Sequence, residues 1–292
     1  DYFGKLGGLP VRVAVVMAGP RDDASGIIKL TNANWPAFNP LEVGERYAGS
    51  QFITANDMIG TAAGVLAETS LDLKTLKSGH SRPTGNKLIM TLSTGVGAAA
   101  AVWDGYSQRY VFMATEAGHI GIQPKSADES KYLEFLQSQH SHASAERALS
   151  GKHGIENLVR HSLEQRPAPE LSQAVERALE NSRPLGAVLL EFALEDKASA
   201  GQGARRILGN FGAMIGSVMR DLTVALKAAG GVYLTGSVGL GLGEYLAEQT
   251  DFKQRFVQAG SVHDEWLEKI PIQRVTNPNV AVLGALALAL EH

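Results

Sequence analysis

Apolar segments that end in turn residues alternate with helical segments over the first part of the chain. β-Branched and other apolar residues predict a buried strand at residues 11–17, a shorter one at residues 27–30 and a third at residues 51–55. Residues 57–66 have the apolar spacing of a helix, with Asp57 as its N-cap. Strands that alternate with helices predict an α/β fold.

The rest of the chain combines short apolar runs with a long helical part. The apolar runs predict further strands, at residues 87–92, 98–103, 109–113 and 231–235. Helical spacing extends from residue 131 to residue 228, with breaks predicted at residues 150–151, 166–169, 184 and 201–203. A helix near residues 241–249 and a closing helix at residues 281–291 are also predicted. Residues 71–85 and the stretch that leads up to residue 275 are expected to be irregular.

The distribution of small apolar residues predicts two domains, one of them split in sequence. The composition changes near residue 68, and small apolar residues return after Pro278. We therefore expect a small α/β domain built from residues 1–68 and 276–292, which contains both ends of the chain. Residues 69–275 are expected to form a large α+β domain.

Composition and charge exclude several classes of protein. The 292 residues include 27 Lys and Arg against 30 Asp and Glu, a net charge of −3 without any basic block, which argues against binding to a nucleic-acid backbone. The chain has no cysteine, which excludes disulfide scaffolds, thiolate nucleophiles and thiolate zinc sites. Its longest apolar run, residues 280–290, is shorter than the roughly 20 residues that a membrane-spanning helix needs.

Two glycine-rich segments follow predicted strands. At residues 92–97 a strand enters a Thr-Gly-x-Gly turn, whose exposed backbone N–H groups, with the hydroxyl of Thr94, are suited to an anion such as phosphate. The same residues also fit an ordinary β-hairpin turn. Residues 230–237 form an apolar strand between glycines, which suits either the close approach of a nucleotide or a plain buried strand.

Three further segments contain acidic side chains, and two of these segments are suited to hydroxyl groups. Asp57 follows Asn56 at the end of a predicted strand, where it can accept a proton or simply begin a helix. Glu116 and His119 converge on hydroxyls if they lie in a turn, as Gly118 and the strand-like residues 120–123 suggest, and otherwise are ordinary surface side chains. Glu146 lies in a short helix that ends before a glycine, which also fits an exposed glutamate.

In this order and spacing the segments resemble the bacterial glucokinase family of the hexokinase/actin-like ATPase superfamily. The resemblance extends from about residue 11 to the C-terminus and is strongest in five segments: residues 30–35, 54–57, 94–97, 116–119 and 144–151. The last of these, Ser-Ala-Glu-Arg-Ala-Leu-Ser-Gly, is the most specific. Residues 230–237 look like the adenosine motif of that family.

The resemblance implies a two-domain actin-like ATPase fold, ribonuclease H-like, with a cleft between the domains. It also implies ATP-dependent phosphorylation of glucose at the 6-hydroxyl, with Asp57 as general base. The ring hydroxyls would be bound by polar side chains of four residues, with Asn32 as an additional contact: Asn56, Glu116, His119 and Glu146. These groups suit a neutral sugar, because each can pair with a hydroxyl and would be left unpaired by an analogue that lacks it.

The implied cofactors are ATP and Mg²⁺. The phosphate loop would include Thr94, Gly95 and Gly97, and the adenosine would lie near Gly231 and Gly236. No metal ligand is expected among the side chains. The related ROK kinases and repressors carry a cysteine-rich zinc motif after their Gly-His segment, which a chain without cysteine cannot form, so the resemblance favours the zinc-free branch.

The resemblance further implies a cytoplasmic, homodimeric glycolytic enzyme with a small sugar as substrate, and neither a nucleic acid nor a membrane as partner. The sequence departs from the family at Thr115 and Ala117, where glycines are usual, and it contains no Asp-x-Gly-Gly-Thr phosphate loop near its start. We expect the natural chain to begin some tens of residues earlier. The alternatives are a kinase for another sugar or a cyclitol, and a sugar-binding relative without catalysis.

Overall fold

A computed structural model describes most of the chain: residues 12–19, 21–22, 24–30, 34–46, 51–67, 73–195, 198–257 and 260–291. The chain forms two compact units. The first contains Asp1–Asp72, Ala99–Ala114 and Asn277–His292, and the second contains Leu73–Ala98 and Thr115–Thr276. Grouping by contacts thus assigns Ala99–Ala114 to the first unit, whereas the predicted small domain does not include it. The predicted domain boundaries stay a prediction.

The strands of the described residues are short, and a single long helix stands out among the helices. The strands are β1 (Arg12–Met17), β2 (Gln51–Asn56), β3 (Leu73–Lys77), β4 (Lys87–Leu92), β5 (Val96–Asp104), β6 (Arg109–Thr115), β7 (Val232–Thr235) and β8 (Ile272–Val275). The helices up to the long one are α1 (Pro40–Arg46), α2 (Asp57–Leu66), α3 (Ala127–Gln139), α4 (Ala145–Leu149), α5 (His153–Gln165), α6 (Pro169–Glu180), α7 (Leu185–Leu194) and α8 (Ala198–Ala225). The helices after it are α9 (Gly236–Glu248), α10 (Thr250–Val257), α11 (Asp264–Glu268) and α12 (Val280–Glu291). None of the described helices is both long and apolar enough to span a membrane.

In the first unit, two helices pack closely beside a pair of parallel strands. β1 pairs with β2 in parallel, from Arg12 opposite Gln51 to Met17 opposite Asn56. Where α2 crosses α12, a Cβ at Gly284 would overlap the carbonyl oxygen of Gly60. The two helices therefore touch through their backbones, a distance that only glycine permits. This contact fixes α2, and with it the end of β2.

The second unit is built on parallel strands whose core is almost wholly apolar. Its strands lie in the order β3-β8-β7-β4. β4, β7 and β8 are parallel, with Leu88 opposite Val232, while β3 is antiparallel to β8. Leu88, Ile89 and Met90 of β4 are fully buried. Strands buried in this way read as continuous apolar runs, which is why β4 and β7 were predictable from the sequence.

Several predicted elements are wrong. Residues 27–30 do not form a strand: Ile28 is fully buried but makes only isolated bridges, to Arg21 and Phe38. β3 lies in the polar segment expected to be irregular, because an edge strand needs no apolar run on its exposed side. Likewise α10, α11 and β8 occupy the stretch expected to be irregular before residue 275.

Two further corrections concern glycine and the segment after His119. α8 continues through the predicted break at residues 201–203, because Gly201 and Gly203 lie against neighbouring atoms of the second unit and are kept by packing. Residues 120–123 form no strand: only Gly121 makes an isolated bridge, to Ser144. At Gly201 and Gly203, therefore, glycine allows close packing against neighbouring atoms and does not end the helix.

The glycine contact between α2 and α12 can be tested by adding one methyl group. We expect Gly284→Ala to lower the free energy of unfolding by at least about 1 kcal/mol, because overpacking outweighs the gain in helix propensity. Gly241→Ala is the matched control, since Gly241 is in helix α9 with no atom within 4 Å of the added Cβ, and it should stabilise by up to about 1 kcal/mol. Urea unfolding followed by circular dichroism measures both changes. A Gly284→Ala protein as stable as wild type would disprove the contact.

Candidate functional site

The backbone of residues 92–96, between β4 and β5, is where several predicted site segments of the second unit meet. The amide of Gly151 donates to the carbonyl oxygen of Ser93 at 2.6 Å. A Cβ at Gly236 would overlap the carbonyl oxygen of Leu92, and one at Gly118 would overlap that of Val96. The structure therefore brings together the 93–95 turn, the Glu116–His119 segment, the segment around α4 and the start of α9.

Glu116 and His119 project from a single tight turn. Residues Ala117–His119 form a 3₁₀-helix, in which the His119 amide donates to the Glu116 carbonyl oxygen at 2.9 Å. The Nε2 atom of His119 lies 3.9 Å from Oε2 of Glu116, and both side chains are largely exposed. The prediction that these residues lie in a turn is correct. Both side chains are free to turn toward a ligand from one short segment.

Two residues that the sequence analysis did not assign hold this turn. The hydroxyl of Thr115 donates to the Ala98 carbonyl oxygen at 2.8 Å and accepts from the Ala117 amide at 3.3 Å. The Nε2 atom of His142 lies 3.0 Å from the carbonyl oxygen of His119. Thr115 was recognisable only as a departure from the family pattern, and His142 is too distant in sequence for any local signal to connect it with His119.

Glu146 is tied to the same turn through α4. The hydroxyl of Ser144 caps α4 by accepting from the Arg147 amide at 3.3 Å, and the amide of Ala145 donates to the Ile120 carbonyl oxygen at 2.9 Å. The half-buried Glu146 accepts from the Val96 amide through Oε2, at 3.4 Å. His119 and Glu146 line one pocket of the second unit, together with polar side chains such as Asn157. This pocket suits a ligand rich in hydroxyl groups.

The start of α9 presents backbone donors beside the 93–95 turn. Gly236 has a φ of +91° and is the first residue of α9. The N-cap residue Thr235 makes no side-chain cap, and its hydroxyl instead pairs with that of Thr91 at 2.5 Å. The first N–H groups of α9 therefore receive no side-chain cap from Thr235, and the helix dipole favours an anion there.

The remaining glycine-turn residues divide between the turn and the strands. Thr94 is exposed and Gly95 is half-buried in the turn, whereas Gly97 is the second residue of β5. Gly231 lies before β7 with a φ of +106°, at the opposite end of that strand from Gly236. The four residues of β7 lie between them, and extended chain of this length separates the two glycines by roughly 16 Å. The structure therefore does not bring Gly231 together with Gly236.

Asn56 and Asp57 lie in the first unit, at the carboxyl end of β2. Asn56 is the N-cap of α2, with Oδ1 accepting from the Met58 amide at 2.8 Å and Nδ2 donating to the Gly19 carbonyl oxygen at 3.4 Å. The expectation that Asp57 is the N-cap is therefore wrong: it is the first helical residue, and its Oδ1 also accepts from Met58, at 2.9 Å. The helix dipole favours its ionised form. Asn32 lies outside the described residues.

Comparisons with known proteins identify the family of this chain. The family model described as Glucokinase matches residues 7–292. The chain is 30% identical to a glucokinase of Nitrobacter hamburgensis over 286 residues, which covers 97% of this chain and 81% of that protein.

Two solved structures have the same fold. One is a glucokinase from an Antarctic psychrotroph, with a TM-score of 0.77 and 26% identity over 97% of this chain and 81% of that one. The other is a ROK family glucokinase from Streptomyces griseus in complex with glucose and AMPPNP, with a TM-score of 0.60 and 16% identity over 94% of this chain and 80% of that one. The fold is the mixed α/β fold of actin-like ATPases. The match to the family model covers nearly the whole chain, and the chain belongs to the glucokinase family.

Proposed function

We propose that this protein transfers the γ-phosphoryl group of ATP to the 6-hydroxyl of glucose. Glucokinases phosphorylate glucose with ATP, and membership of the family supports the same reaction here. The observation that carries the proposal is the meeting of two kinds of segment on the backbone of residues 92–96. One kind bears Glu116, His119 and Glu146, and the other is the uncapped start of α9.

Glu116, His119 and Glu146 would bind ring hydroxyls of glucose, together with Asn56. Carboxylates accept hydrogen bonds from hydroxyls, while an amide or an imidazole can both donate and accept. The half-buried position of Glu146 makes an unpaired carboxylate unfavourable there, so a sugar that lacks the matching hydroxyl binds less well. Asn32 stays in the proposal as an additional sugar contact on the strength of the resemblance alone.

Asp57 would take the proton from the 6-hydroxyl as its oxygen attacks phosphorus. Its carboxylate is in the first turn of α2, where the helix dipole favours the ionised form that a base requires. Asn56 supplies the side-chain cap from the preceding position, and Oδ1 of Asp57 also accepts from the Met58 amide. The reaction otherwise depends mainly on positioning and charge stabilisation.

The nucleotide phosphates would lie near Thr94, Gly95, Gly97 and the start of α9. The positive φ of Gly236 and its contact with Leu92 leave no room for a side chain, and the exposed hydroxyl of Thr94 is beside the same backbone. These features fit phosphate. ATP, when bound, supplies the transferred phosphoryl group. Gly231 lies at the other end of β7, and the proposal gives it no contact with these phosphates.

Mg²⁺ is proposed to bind with the nucleotide. Among the described residues no group of three His, Asp or Glu side chains is placed to hold a metal ion. Mg²⁺ commonly uses one or two carboxylates, with substrate phosphates and water completing its coordination, so that finding is compatible with its binding on ATP. A homodimeric assembly and a cytoplasmic, glycolytic role are proposed from the family resemblance alone. Light scattering of the purified protein tests the first of these.

Asp57→Asn tests the general base. We expect kcat to fall by about 10²–10⁴-fold, because a neutral amide cannot accept the proton, while titration calorimetry still detects glucose binding. Asp251→Asn is the matched control, since Asp251 is also in the first turn of a helix, α10, and should leave kcat unchanged. Steady-state assays that couple ADP release to a reporter measure both. A kcat for Asp57→Asn close to that of wild type would refute the assignment.

Glu146→Gln tests the sugar site. Loss of a charged hydrogen bond removes roughly 1.5–3 kcal/mol, which raises the KM for glucose by about 10- to 150-fold with a smaller change in kcat. For the monodeoxyglucose that lacks the hydroxyl bound by Glu146, the KM should be the same with this variant as with the wild type. Glu176→Gln, on the exposed face of α6, is the control. An unchanged KM for glucose, or an equal increase in KM for every monodeoxyglucose, would contradict the assignment of Glu146 to a sugar hydroxyl.

A further inference from the structure

A second cavity of the second unit, of about 200 Å³, lies among α3, α5 and α8. None of its lining residues also lines the pocket of His119 and Glu146. The charged and polar side chains that matter for its chemistry are Asp128, Lys131, His161, Arg166, Arg206 and Asn210. The cavity is therefore distinct from the proposed sugar site.

The cavity has an excess of positive charge. Lys131, Arg166 and Arg206 line it, opposed by Asp128 and Glu129. Glu129 is already neutralised, because its Oε1 pairs with Arg255 at 2.6 Å and its Oε2 accepts from the Lys125 amide at 2.6 Å. Only Asp128 remains, 3.7 Å from Arg166. Three cations and one available carboxylate leave two positive charges in excess.

Arg206 has no carboxylate of its own. In the described part of the chain it makes no ion pair within 4.0 Å, and its guanidinium has only a long hydrogen bond, of 3.5 Å, to the Ser162 carbonyl oxygen. Burial lowers the pKa of Arg206, the nearby positive charge of Arg166 lowers it further, and the negative charge of Asp128 opposes both effects. Arg166 and Arg206 thus share one carboxylate, Asp128, which leaves this pair of guanidinium groups with a positive charge in excess.

His161 adds a buried polar group with no protein partner. Its side chain is only 7% exposed, with its ring 5.6 Å from that of Tyr132 and 5.2 Å from that of Phe135. Within the described ranges its ring nitrogens make no hydrogen bond, although it lines the cavity. Burial lowers its pKa, while the negative charges of Glu164 and Asp128 oppose that effect. In its neutral form the ring offers one N–H donor and one acceptor. Its ring nitrogens can therefore bind a ligand or water in the cavity.

We propose that this cavity binds a phosphate group. Two excess positive charges match a phosphate dianion, and guanidinium groups match its oxygens with paired N–H donors. The side chain of Asn210 and the ring of His161 supply neutral donors on the same cavity wall. Drug-sized ligands occupy roughly 300–1,000 Å³, so this smaller cavity selects an ion of the size of phosphate. The group is either free phosphate or the end of a phosphate monoester.

Calorimetric titration of inorganic phosphate tests the site in the full chain, with ADP and glucose present in excess to occupy the proposed active site. Saturable binding of one phosphate per chain is expected. Arg206→Gln should weaken it by at least about tenfold. Arg177→Gln should not, because Arg177 is on the exposed face of α6. Absence of binding to wild type, or equal affinity for Arg206→Gln, would overturn the proposal.

A second measurement keeps the test decisive if Arg206→Gln does not fold. Phosphate should shift the imidazole resonances of His161 in the wild-type protein, and an unchanged His161 spectrum at saturating phosphate would refute the site. Glycerol 3-phosphate distinguishes the two sources of the group. Tighter binding than inorganic phosphate identifies a monoester, whereas weaker binding identifies the free ion, and failure of both ligands to bind rejects the proposal.

Discussion

Three glycines and one carboxylate pack on the backbone of residues 92–96, and the candidate site of the second unit depends on that contact. Gly236 lies against the Leu92 carbonyl, Gly151 donates to that of Ser93, and Gly118 lies against that of Val96. Peptide groups this close leave no space for a Cβ, so glycine is required at each position. The end of β4 thus supports segments that are far apart in sequence.

Because they pack on the same backbone, these glycines position the site segments rather than only forming turns. Each of these glycines lies in a segment with a candidate functional group. Gly118 lies between Glu116 and His119, Gly151 follows the helix of Glu146, and Gly236 is the first residue of α9. A side chain at any of the three would push its segment away from the strand and displace those groups. Rigid positioning of this kind is what phosphoryl transfer mainly requires from a protein.

The sequence predicted those parts of the structure in which one local signal dominates. The buried runs of β2, β4 and β7 and the helical spacing of α2 are of this kind. The prediction failed where contacts with a distant part of the chain determine the secondary structure. β3 is a strand because β8 pairs with it, and α8 continues through Gly201 because nearby backbone fills the space beside that glycine.

The candidate site shows the same division. The sequence placed Glu116 and His119 in a turn, but Thr115 and His142 hold that turn through contacts that have no local pattern. The adjacent Asn56 and Asp57 were both recognised, while their roles at the start of α2 depended on backbone geometry: Asn56 is the cap and Asp57 the first helical residue. Distances between such groups arise only when the chain folds.

Gly95 belongs to the 93–95 turn and also lies beside the carboxylate of Glu146. A Cβ at this position would lie 2.9 Å from Oε2 of Glu146, so the glycine leaves space for the carboxylate as well as exposing its own backbone in the turn. The same oxygen accepts from the Val96 amide at 3.4 Å. A shift of the turn toward a phosphate therefore moves the support of Glu146 as well. In the proposed function, the positions of the sugar and of the phosphate would be coupled through two adjacent peptide groups rather than through a chain of side chains.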